Sequence, residues 1–327
     1  MGTAGNQTTN ALPQASHSAQ ANKWVSDTSK PMAFAETETH KEYISMIEVI
    51  AEIGVNHNGD FFTACKLVDA AIEAGATAVK TQLWNTERVY PRERWDEMKR
   101  LELSRNDIQT LQAFCRGRGI ELIVTPDELD DATFLRDIGV KRIKTSSQDV
   151  TNLRFLTGVG MLGLPVIFST GACNWAEMNI GLKALHGGSH DSDLHITLLH
   201  CVSAYPAPVF EMNLGVFKHF GGEYGYESKS IGWSVNAVGL SDHTLGETSA
   251  MMALALGATV FEKHLTLNRG GIGPDHGASM EPLELRRYIE TLKICEQAMG
   301  DGIKRVMPCE IENRKRFEAF HAHRSEA

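Results

Sequence analysis

The feature that most constrains the fold is a repeated alternation of short β-branched runs with amphipathic segments of helix length, which begins at Ile47. Alternation of this kind is typical of a parallel sheet whose strands are connected by helices. Eight candidate strands are present, and eight parallel strands are the number that closes a (β/α)8 barrel. The predicted strands are Ile47–Gly54, Thr77–Trp84, Glu121–Pro126, Arg142–Ser147, Pro165–Thr170, His195–Cys201, Val238–His243 and Val260–Leu267.

An open, doubly wound sheet is the main competing architecture. The glycine-rich fingerprint that usually follows its first strand does not follow Gly54, so this architecture loses its commonest functional signature. Ser104 is the expected N-cap of the second helical segment. The sequence therefore predicts an α/β fold of the TIM-barrel type, with helices near 60–75, 104–118, 128–138, 152–161, 175–186, 209–220, 246–256 and 282–299.

Composition separates a tail from the barrel. Residues 1–42 are rich in Ala, Ser, Thr, Asn and Gln and lack hydrophobic periodicity, which predicts a flexible tail that cannot offset its ordering entropy by burial. Residues 43–303 form the predicted barrel domain, and a single barrel of about 250 residues is common.

Charge, cysteine content and hydropathy exclude several function classes. The formal net charge of −9 argues against a nucleic-acid surface, although a local basic pocket for a small anion is compatible with it. No apolar run approaches the roughly 20 residues of a membrane span, and no signal peptide is recognisable. The six cysteines form no Cys-x-x-Cys pair, so reduced thiols and a cytoplasmic location are expected.

Polar residues fall at the carboxyl ends of the predicted strands. In a closed barrel these ends converge on one rim, and barrel active sites lie at that rim. The pattern therefore indicates a site before any family is considered. The residues concerned are Glu52, Lys80, Gln82, Thr125, Lys144, Ser147, Ser169, Thr170, His200, Ser241, His243 and His264.

Two lysines end strands that otherwise have a buried composition. An unpaired buried ammonium group costs several kcal/mol, so Lys80 and Lys144 each need an anion. A bound phosphate or carboxylate is one candidate, and an ion pair with Glu52 or Asp149 is the alternative. Hydroxyl donors at neighbouring strand ends favour the first, because together with two lysines they suit the oxygens of a phosphorylated carboxylic acid.

Two histidines terminate successive strands, the seventh and the eighth. The imidazoles of His243 and His264 can lie side by side in a barrel and share a divalent metal, although a single strand-end histidine is more often a hydrogen-bonded core residue. Asp275 follows in a glycine-rich loop just beyond the eighth strand. Such a donor set favours manganese or a similar ion. Cys201 is interpreted as a buried small hydrophobe rather than as a nucleophile or metal ligand.

Five strings of residues are similar in order and spacing to the N-acetylneuraminate (sialic acid) synthase family. The resemblance extends over nearly all of residues 47–300. The strings lie on the first, second, seventh and eighth predicted strands and in the loop after the last one. They are IAEIGVNHNG (50–59), AVKTQ (78–82), GLSDHT (239–244), EKH (262–264) and GPD (273–275).

This resemblance implies a transferase that condenses phosphoenolpyruvate with an open-chain sugar aldehyde. The products are a 3-deoxy-2-keto sugar acid of the nonulosonic type and phosphate, formed by C–O cleavage. The resemblance also implies a divalent metal cofactor, Mn²⁺ first and Mg²⁺ or Co²⁺ as alternatives, and a homodimer.

Residue roles follow from the same resemblance. It places Glu52 as the essential acidic residue near the metal water, and His243 and His264 as metal ligands. The acceptor-sugar contacts are Gln82, Tyr205 and Asp275. The phosphoenolpyruvate contacts are Lys80, Thr125, Lys144, Ser147, Ser169 and Ser241.

Three departures from the family pattern concern the acceptor. Ser203 stands where many relatives have Asn, and Asp149 stands where they have Glu, and both are retained as substrate-binding candidates. The third expectation is a barrel without the family's C-terminal antifreeze-like domain, in which residues 304–327 form a helical extension resembling the family linker.

Two other functions compete with this interpretation. A related synthase that uses a phosphorylated aldose would need extra basic residues, which Arg88, Arg92 and Arg94 could supply. A non-catalytic sugar-binding barrel is the second alternative. The presence of Glu52 with both lysines and both histidines argues against it.

Overall fold

The computed structural model of the protein describes residues 46–189, 194–222 and 235–325. Here eight parallel strands close into a barrel in chain order, and the eighth strand pairs with the first, which confirms the predicted fold class. The predicted flexible tail, residues 1–42, lies outside the described residues. The strands are β1 (Glu48–Glu52), β2 (Ala78–Leu83), β3 (Glu121–Pro126), β4 (Ile143–Thr145), β5 (Val166–Ser169), β6 (Ile196–Cys201), β7 (Ala237–Asp242) and β8 (Val260–His264).

Helices connect the strands and cover the outside of the barrel. Ser104 caps the second long helix as predicted: its hydroxyl accepts from the Asp107 N–H at 3.1 Å, and the Asp107 carboxylate accepts from the Ser104 N–H at 3.0 Å. The helices are α1 (Phe61–Ala74), α2 (Thr86–Val89), α3 (Trp95–Lys99), α4 (Arg105–Arg118), α5 (Leu129–Asp137), α6 (Leu153–Met161), α7 (Trp175–Gly188), α8 (Phe217–Gly222), α9 (Thr248–Ala255), α10 (Pro282–Met299) and α11 (Ile311–Ser325).

The loop after β6 differs from the prediction. The sequence pattern predicts one helix near 209–220, but the chain forms two short 3₁₀ turns, Val209–Glu211 and Leu214–Val216, before α8. Asn213 separates the turns with a left-handed backbone, φ 45°, which interrupts an α-helix. The loop after β2 contains α2 and α3, which no periodicity predicts because each has only four or five residues.

Alternate residues of each strand fill the barrel interior in layers. At the N-terminal end Arg142 forms ion pairs with Glu48 and Glu121. The next layer is apolar, and the layer above it carries charged and hydroxyl side chains. On five of the six strands that form the apolar layer, the inward residue two positions further along is polar. The apolar layer consists of Ile50, Ala78, Ile123, Ile167, Leu199 and Val260.

Strand β7 contributes a glycine at the level of the apolar layer. A Cβ atom on Gly239 would lie 2.1 Å from the carbonyl oxygen of Val260 and 2.7 Å from the side chain of Leu199. Only glycine permits this close approach of β7 to its neighbours. This close contact of β7 with its neighbours fixes the position of Ser241 and His243, which follow Gly239 on the same face.

The described chain ends in α11, whose side chains are exposed as far as Arg324. A helix is thus present within residues 304–327, where a helical extension is predicted. Across the three described segments, no helix combines the length and apolar character that crossing a membrane requires.

Candidate active site

A cavity of about 390 Å³ opens at the C-terminal end of the barrel. Its floor is the charged layer, and its walls come from the loops that follow the strands. Every residue with a predicted catalytic, substrate-binding or metal-binding role lines it, except Asp149. The rim residues Thr170 and His200 do not line it and face a separate, smaller cavity. The predicted residues that it brings together are Glu52, Lys80, Gln82, Thr125, Lys144, Ser147, Ser169, Ser203, Tyr205, Ser241, His243, His264 and Asp275.

The two lysines of the floor are buried and paired with carboxylates. Lys80 contacts Glu52, lies 3.9 Å from Glu262, and donates to the Thr125 hydroxyl at 3.4 Å. Lys144 donates to Glu262 at 3.3 Å. Lys80 thus forms the ion pair with Glu52 that the sequence analysis gave as an alternative. Lys144 pairs instead with Glu262, which the sequence analysis did not select.

Burial and charge shift the pKa values of the two carboxylates in opposite directions. Burial raises the pKa of Glu52 to about 7, although the charge of Lys80 opposes the change. Burial also acts against ionisation of Glu262, but Lys144 and Lys80 outweigh it and lower its pKa to about 2. At neutral pH the floor therefore holds one firmly ionised carboxylate and one that is close to its titration point.

The two histidines lie side by side at the rim, with ring centroids 5.4 Å apart. His243 Nδ1 lies 2.8 Å from the carbonyl oxygen of Val202, so a proton on Nδ1 is satisfied by that carbonyl. Its Nε2 lies 3.3 Å from the Ser241 hydroxyl. Burial lowers the pKa of His264 well below its usual value, with the charge of His243 adding to the effect. His264 is therefore a neutral imidazole at physiological pH.

The donor set fits a divalent metal in part. His264 Nδ1 is buried and has no hydrogen-bond partner, although Asp275 Oδ2 lies 3.4 Å away. This nitrogen of His264 and the neighbouring imidazole of His243 together form a suitable pair of ligands for Mn²⁺ or a similar ion. Within the described residues no group of three or more His, Cys, Asp or Glu side chains is arranged to hold a metal. Water or substrate oxygens would have to complete the coordination.

The outer half of the cavity is formed by loop residues. The ring of Tyr205 packs on His243 with centroids 4.1 Å apart and meets His264 edge-on at 5.6 Å. Burial raises the pKa of Asp275 to about 6. Gly171 leaves room here for Ser203, because a Cβ atom on it would lie 2.2 Å from the Ser203 hydroxyl oxygen and would displace that side chain. The short serine and the glycine together shape this wall.

Asp149 does not line the cavity, so the structure does not place it with the other candidates. It lies in the 3₁₀ turn Ser147–Thr151 that follows β4, where its carboxylate accepts from the Asn152 side chain at 3.4 Å. Burial raises its pKa to about 6. The turn directs Ser147 into the cavity and leaves Asp149 behind the wall.

Sequence reasoning missed Glu262 on β8 and Asp127, which directly follows β3, and it interpreted Cys201 on β6 only as a buried hydrophobe. All three side chains line the cavity. Strand parity could have identified each one, because side chains two residues apart share a face: Glu262 precedes His264 by two, and Asp127 follows Thr125 by two. Burial raises the pKa of Asp127 to about 7, and the charge of Asp149 adds to the shift.

The loop between β2 and α4 supplies a wall that no sequence signal indicated. Val55 from the loop after β1 joins Tyr90, Met98 and Leu101 of this loop in a partly apolar surface. These side chains come from α2, α3 and their connections, which are too short to have a hydrophobic period. The loop residues that line the cavity are Tyr90, Arg94, Glu97, Met98 and Leu101.

The arginines of this loop are largely engaged elsewhere. Arg88 pairs with Glu128 at 2.9 Å and with Asp130 at 3.6 Å, and Arg92 lies over the ring of Trp95. Only Arg94 of the three lines the cavity, and Glu97 neutralises it at 3.4 Å. The basic cluster expected of a synthase for phosphorylated aldoses is therefore not assembled.

Comparison with known proteins decides the family. The sequence profile of the NeuB family matches residues 67–304. The chain belongs to the NeuB family. The N,N'-diacetyllegionaminic acid synthase of Legionella pneumophila is 34% identical, over 81% of this chain and 77% of that protein. The N-acetylneuraminate-9-phosphate synthase of Mus musculus is 30% identical, over 80% of this chain and 74% of that protein.

A solved NeuB-family structure superimposes well on this one. The N-acetylneuraminic acid synthetase of Leptospira borgpetersenii, determined in complex with citrate, has a TM-score of 0.74 and 28% identity. The alignment covers 84% of this chain and 92% of that one. The prediction of a sialic acid synthase-like enzyme, a transferase that joins phosphoenolpyruvate to a sugar on a TIM barrel, is thus confirmed.

Proposed function

We propose that this NeuB-family enzyme condenses phosphoenolpyruvate with the aldehyde of an open-chain, unphosphorylated sugar. The products are a 3-deoxy-2-keto sugar acid of the nonulosonic type and inorganic phosphate, released by C–O cleavage. The observation that carries the proposal is the pair of buried lysines on the cavity floor, whose ammonium groups have N–H donors without an acceptor among the described residues. Phosphoenolpyruvate brings a phosphate and a carboxylate to meet them.

The phosphoenolpyruvate end of the cavity is its floor. Lys80 and Lys144 supply the positive charge, and the hydroxyl groups of four neighbouring strand ends supply further donors. Groups fixed on barrel strands bind the anion without reorganisation at the moment of reaction, which favours catalysis. The hydroxyl groups belong to Thr125, Ser147, Ser169 and Ser241.

His243 and His264 would hold the divalent cofactor, of which Mn²⁺ suits the donors well and Mg²⁺ or Co²⁺ are alternatives. Support comes from the orphaned Nδ1 of His264 and from the neutral state of that ring. When bound, the ion supplies Lewis-acid polarisation of the aldehyde carbonyl oxygen. The protein keeps both imidazoles oriented through the Val202 carbonyl and the packing of Tyr205.

Glu52 is the proposed general base. Attack by C3 of phosphoenolpyruvate leaves cationic character at C2, and a water molecule must lose a proton as it adds there. Burial raises the pKa of Glu52 to about 7, which suits proton transfer at neutral pH. The Gly54 N–H donates to its Oε1 at 2.7 Å and fixes the orientation of the carboxylate.

The acceptor sugar would occupy the outer half, against Gln82, Ser203, Tyr205 and Asp275. Two features favour an acceptor without phosphate. Asp127 and Asp275 add acidic groups to this half, and Arg94 is already paired. The apolar surface formed by the β2–α4 loop suits methyl or N-acyl substituents on the distal carbons of the sugar.

The test combines product analysis with phosphate release. Purified protein is incubated with phosphoenolpyruvate, Mn²⁺ and matched pairs of N-acetylated hexosamines and their 6-phosphates. We expect a product heavier than the acceptor by phosphoenolpyruvate plus water minus phosphoric acid, which is the mass of one pyruvic acid. Unphosphorylated acceptors should be preferred at least tenfold in kcat/KM. A preference for the 6-phosphates would overturn the acceptor proposal. No product with any aldose would support the non-catalytic alternative instead.

Metal dependence is tested separately. Chelator treatment and the variants His243→Ala and His264→Ala should each abolish phosphate release while the far-ultraviolet circular dichroism is unchanged. Titration of Mn²⁺ followed by its electron paramagnetic resonance signal should show one site per chain in the wild type and none in either variant. Full turnover after chelation would exclude the metal role.

Assembly and compartment complete the proposal. The six cysteines are unpaired, which supports a reducing cytoplasm. A homodimer stays a prediction from the family resemblance, and light scattering of the full chain measures it directly.

A further inference from the structure

Glu262 lies at the centre of the charged layer, and the roles proposed above leave it without one. It is on β8, where its Cα pairs with Ile50 of β1 and with Ser241 of β7. Its side chain is 3% exposed and lines the cavity floor. A buried carboxylate beside the place of an anionic substrate is costly, so its presence requires an explanation.

The partners of Glu262 supply that explanation. Its Oε1 accepts from the Ser241 hydroxyl at 2.9 Å and from Lys144 Nζ at 3.3 Å. Its Oε2 lies 3.9 Å from Lys80 Nζ. All three partners are groups that the proposed function assigns to phosphoenolpyruvate. No other described carboxylate forms ion pairs with both lysines.

Two ammonium groups on one floor repel each other when no anion lies between them. The Glu262 carboxylate offsets that repulsion before substrate arrives, and its strand fixes where the lysines point. The carboxylate oxygens of Glu262 face the two ammonium groups and the Ser241 hydroxyl. This geometry suits a group that orients its neighbours.

We propose that Glu262 is a positioning residue, which holds both lysines and Ser241 in the arrangement that receives phosphoenolpyruvate. This inference rests on the proposed function. It differs from direct binding, because a carboxylate repels the substrate that its partners attract. Removing its charge relieves this repulsion, which raises the affinity for phosphoenolpyruvate, and loosens the lysines, which lowers it. The loss of alignment also slows the chemical step.

The kinetic test uses Glu262→Gln with Glu290→Gln as a matched control on the exposed face of α10. In Glu262→Gln we expect kcat to fall by about 30-fold or more, because a misplacement of about 1 Å can cost 100-fold. The KM for phosphoenolpyruvate should change by less than about threefold, since reduced repulsion and poorer alignment offset each other. Glu290→Gln should match the wild type in both constants.

Two further variants separate positioning from a general structural effect. Glu262→Asp keeps the charge on a shorter side chain, so it should recover part of the lost kcat and serves as the test protein if Glu262→Gln does not fold. A double-mutant cycle with Lys144→Met shows whether Glu262 acts through the lysine. The double variant should be no more than about threefold worse in kcat/KM than Lys144→Met alone.

Each result has a definite meaning. An unchanged kcat in Glu262→Gln, a defect confined to KM, or effects that multiply in the double variant would overturn the positioning role. A wild-type protein that neither binds phosphoenolpyruvate by calorimetry nor releases phosphate would overturn the proposed function, and the role of Glu262 with it. The first three outcomes leave the proposed function intact, so the two failures are distinguishable.

Discussion

Two buried lysine–carboxylate clusters lie on opposite faces of the barrel sheet, one inside and one outside, and they differ in how fully their hydrogen bonds are used. On the outer face, Lys263 pairs with Asp242 at 3.0 Å and also donates to the carbonyl oxygens of Thr244 and Gly246. Tyr288 donates to the same aspartate. Three N–H donors thus meet three acceptors, and we call this set the outer cluster.

The inner cluster consists of Lys80, Lys144, Glu52 and Glu262. Lys144 has one acceptor among the described residues, at 3.3 Å, and the contact of Lys80 with Glu262 is long at 3.9 Å. A buried ammonium group with unused donors is unfavourable by itself. The comparison teaches that residue type and burial do not distinguish a structural ion pair from a binding site, whereas the saturation of its hydrogen bonds does.

The largest expected effect is on the outer cluster. Lys263→Met removes one partner of a saturated buried pair and should lower the free energy of unfolding by about 3–5 kcal/mol. Affinity for phosphoenolpyruvate, measured by calorimetry on the folded protein, should be unchanged because Lys263 faces the helices. Urea unfolding provides the stability measurement. If Lys263→Met lowers the free energy of unfolding no more than Lys144→Met does, the distinction between a structural outer cluster and a binding inner cluster is wrong.

A pH titration of stability probes the inner cluster. Burial raises the pKa of Glu52 from 4.5 to about 7, so the folded protein retains a proton that the unfolded chain releases. The free energy of unfolding should therefore fall as pH rises from about 4.5 through 7, by up to about 3 kcal/mol. Glu262, whose pKa is lowered to about 2, affects stability only below about pH 4.5.

Glu52→Gln provides the control for this titration. The variant cannot titrate at position 52, so the difference in unfolding free energy between it and the wild type should change between pH 5 and pH 7.5. A constant difference across that range would show that the Glu52 carboxyl group does not titrate there.

A third prediction concerns substrate binding by the inner cluster. Lys144→Met removes a cation with unused donors, so the affinity for phosphoenolpyruvate should fall at least tenfold, about 1.4 kcal/mol. The loss of stability should be smaller than in Lys263→Met. Unchanged affinity in calorimetry would contradict the assignment of Lys144 to the anion.

The smallest effects come from a matched pair of threonine substitutions. Thr125→Val removes a 3.4 Å hydrogen bond to Lys80 and should weaken phosphoenolpyruvate binding by about three- to tenfold, with little change in stability. Thr244→Val removes a 2.7 Å hydrogen bond to Asp242 and should lower stability by about 1–3 kcal/mol, with binding unchanged. A loss of stability in Thr125→Val together with a loss of binding in Thr244→Val would show that the roles of the two clusters are the opposite of those proposed.

The sequence predicted the barrel because strand and helix periods are local, and all eight strands lie where β-branched runs occur. It also predicted the rim residues, since every barrel strand ends on the same face. Glu262 and Asp127 were overlooked although strand parity places them inside. The position of Asp149 and the wall formed by Met98 and Leu101 depend on loop geometry, which has no period in the sequence.

The apolar layer has a consequence for the order of events in the reaction. Together with the ion pairs of Arg142 beneath it, this layer fills the N-terminal end of the barrel, so in the described part of the chain the cavity floor faces the C-terminal rim. A molecule on the floor lies behind anything in the outer half. If phosphoenolpyruvate occupies the floor as proposed, it enters before the sugar, and the phosphate departs after the sugar acid. On that assignment the apolar layer imposes an ordered sequential kinetic mechanism without touching either substrate.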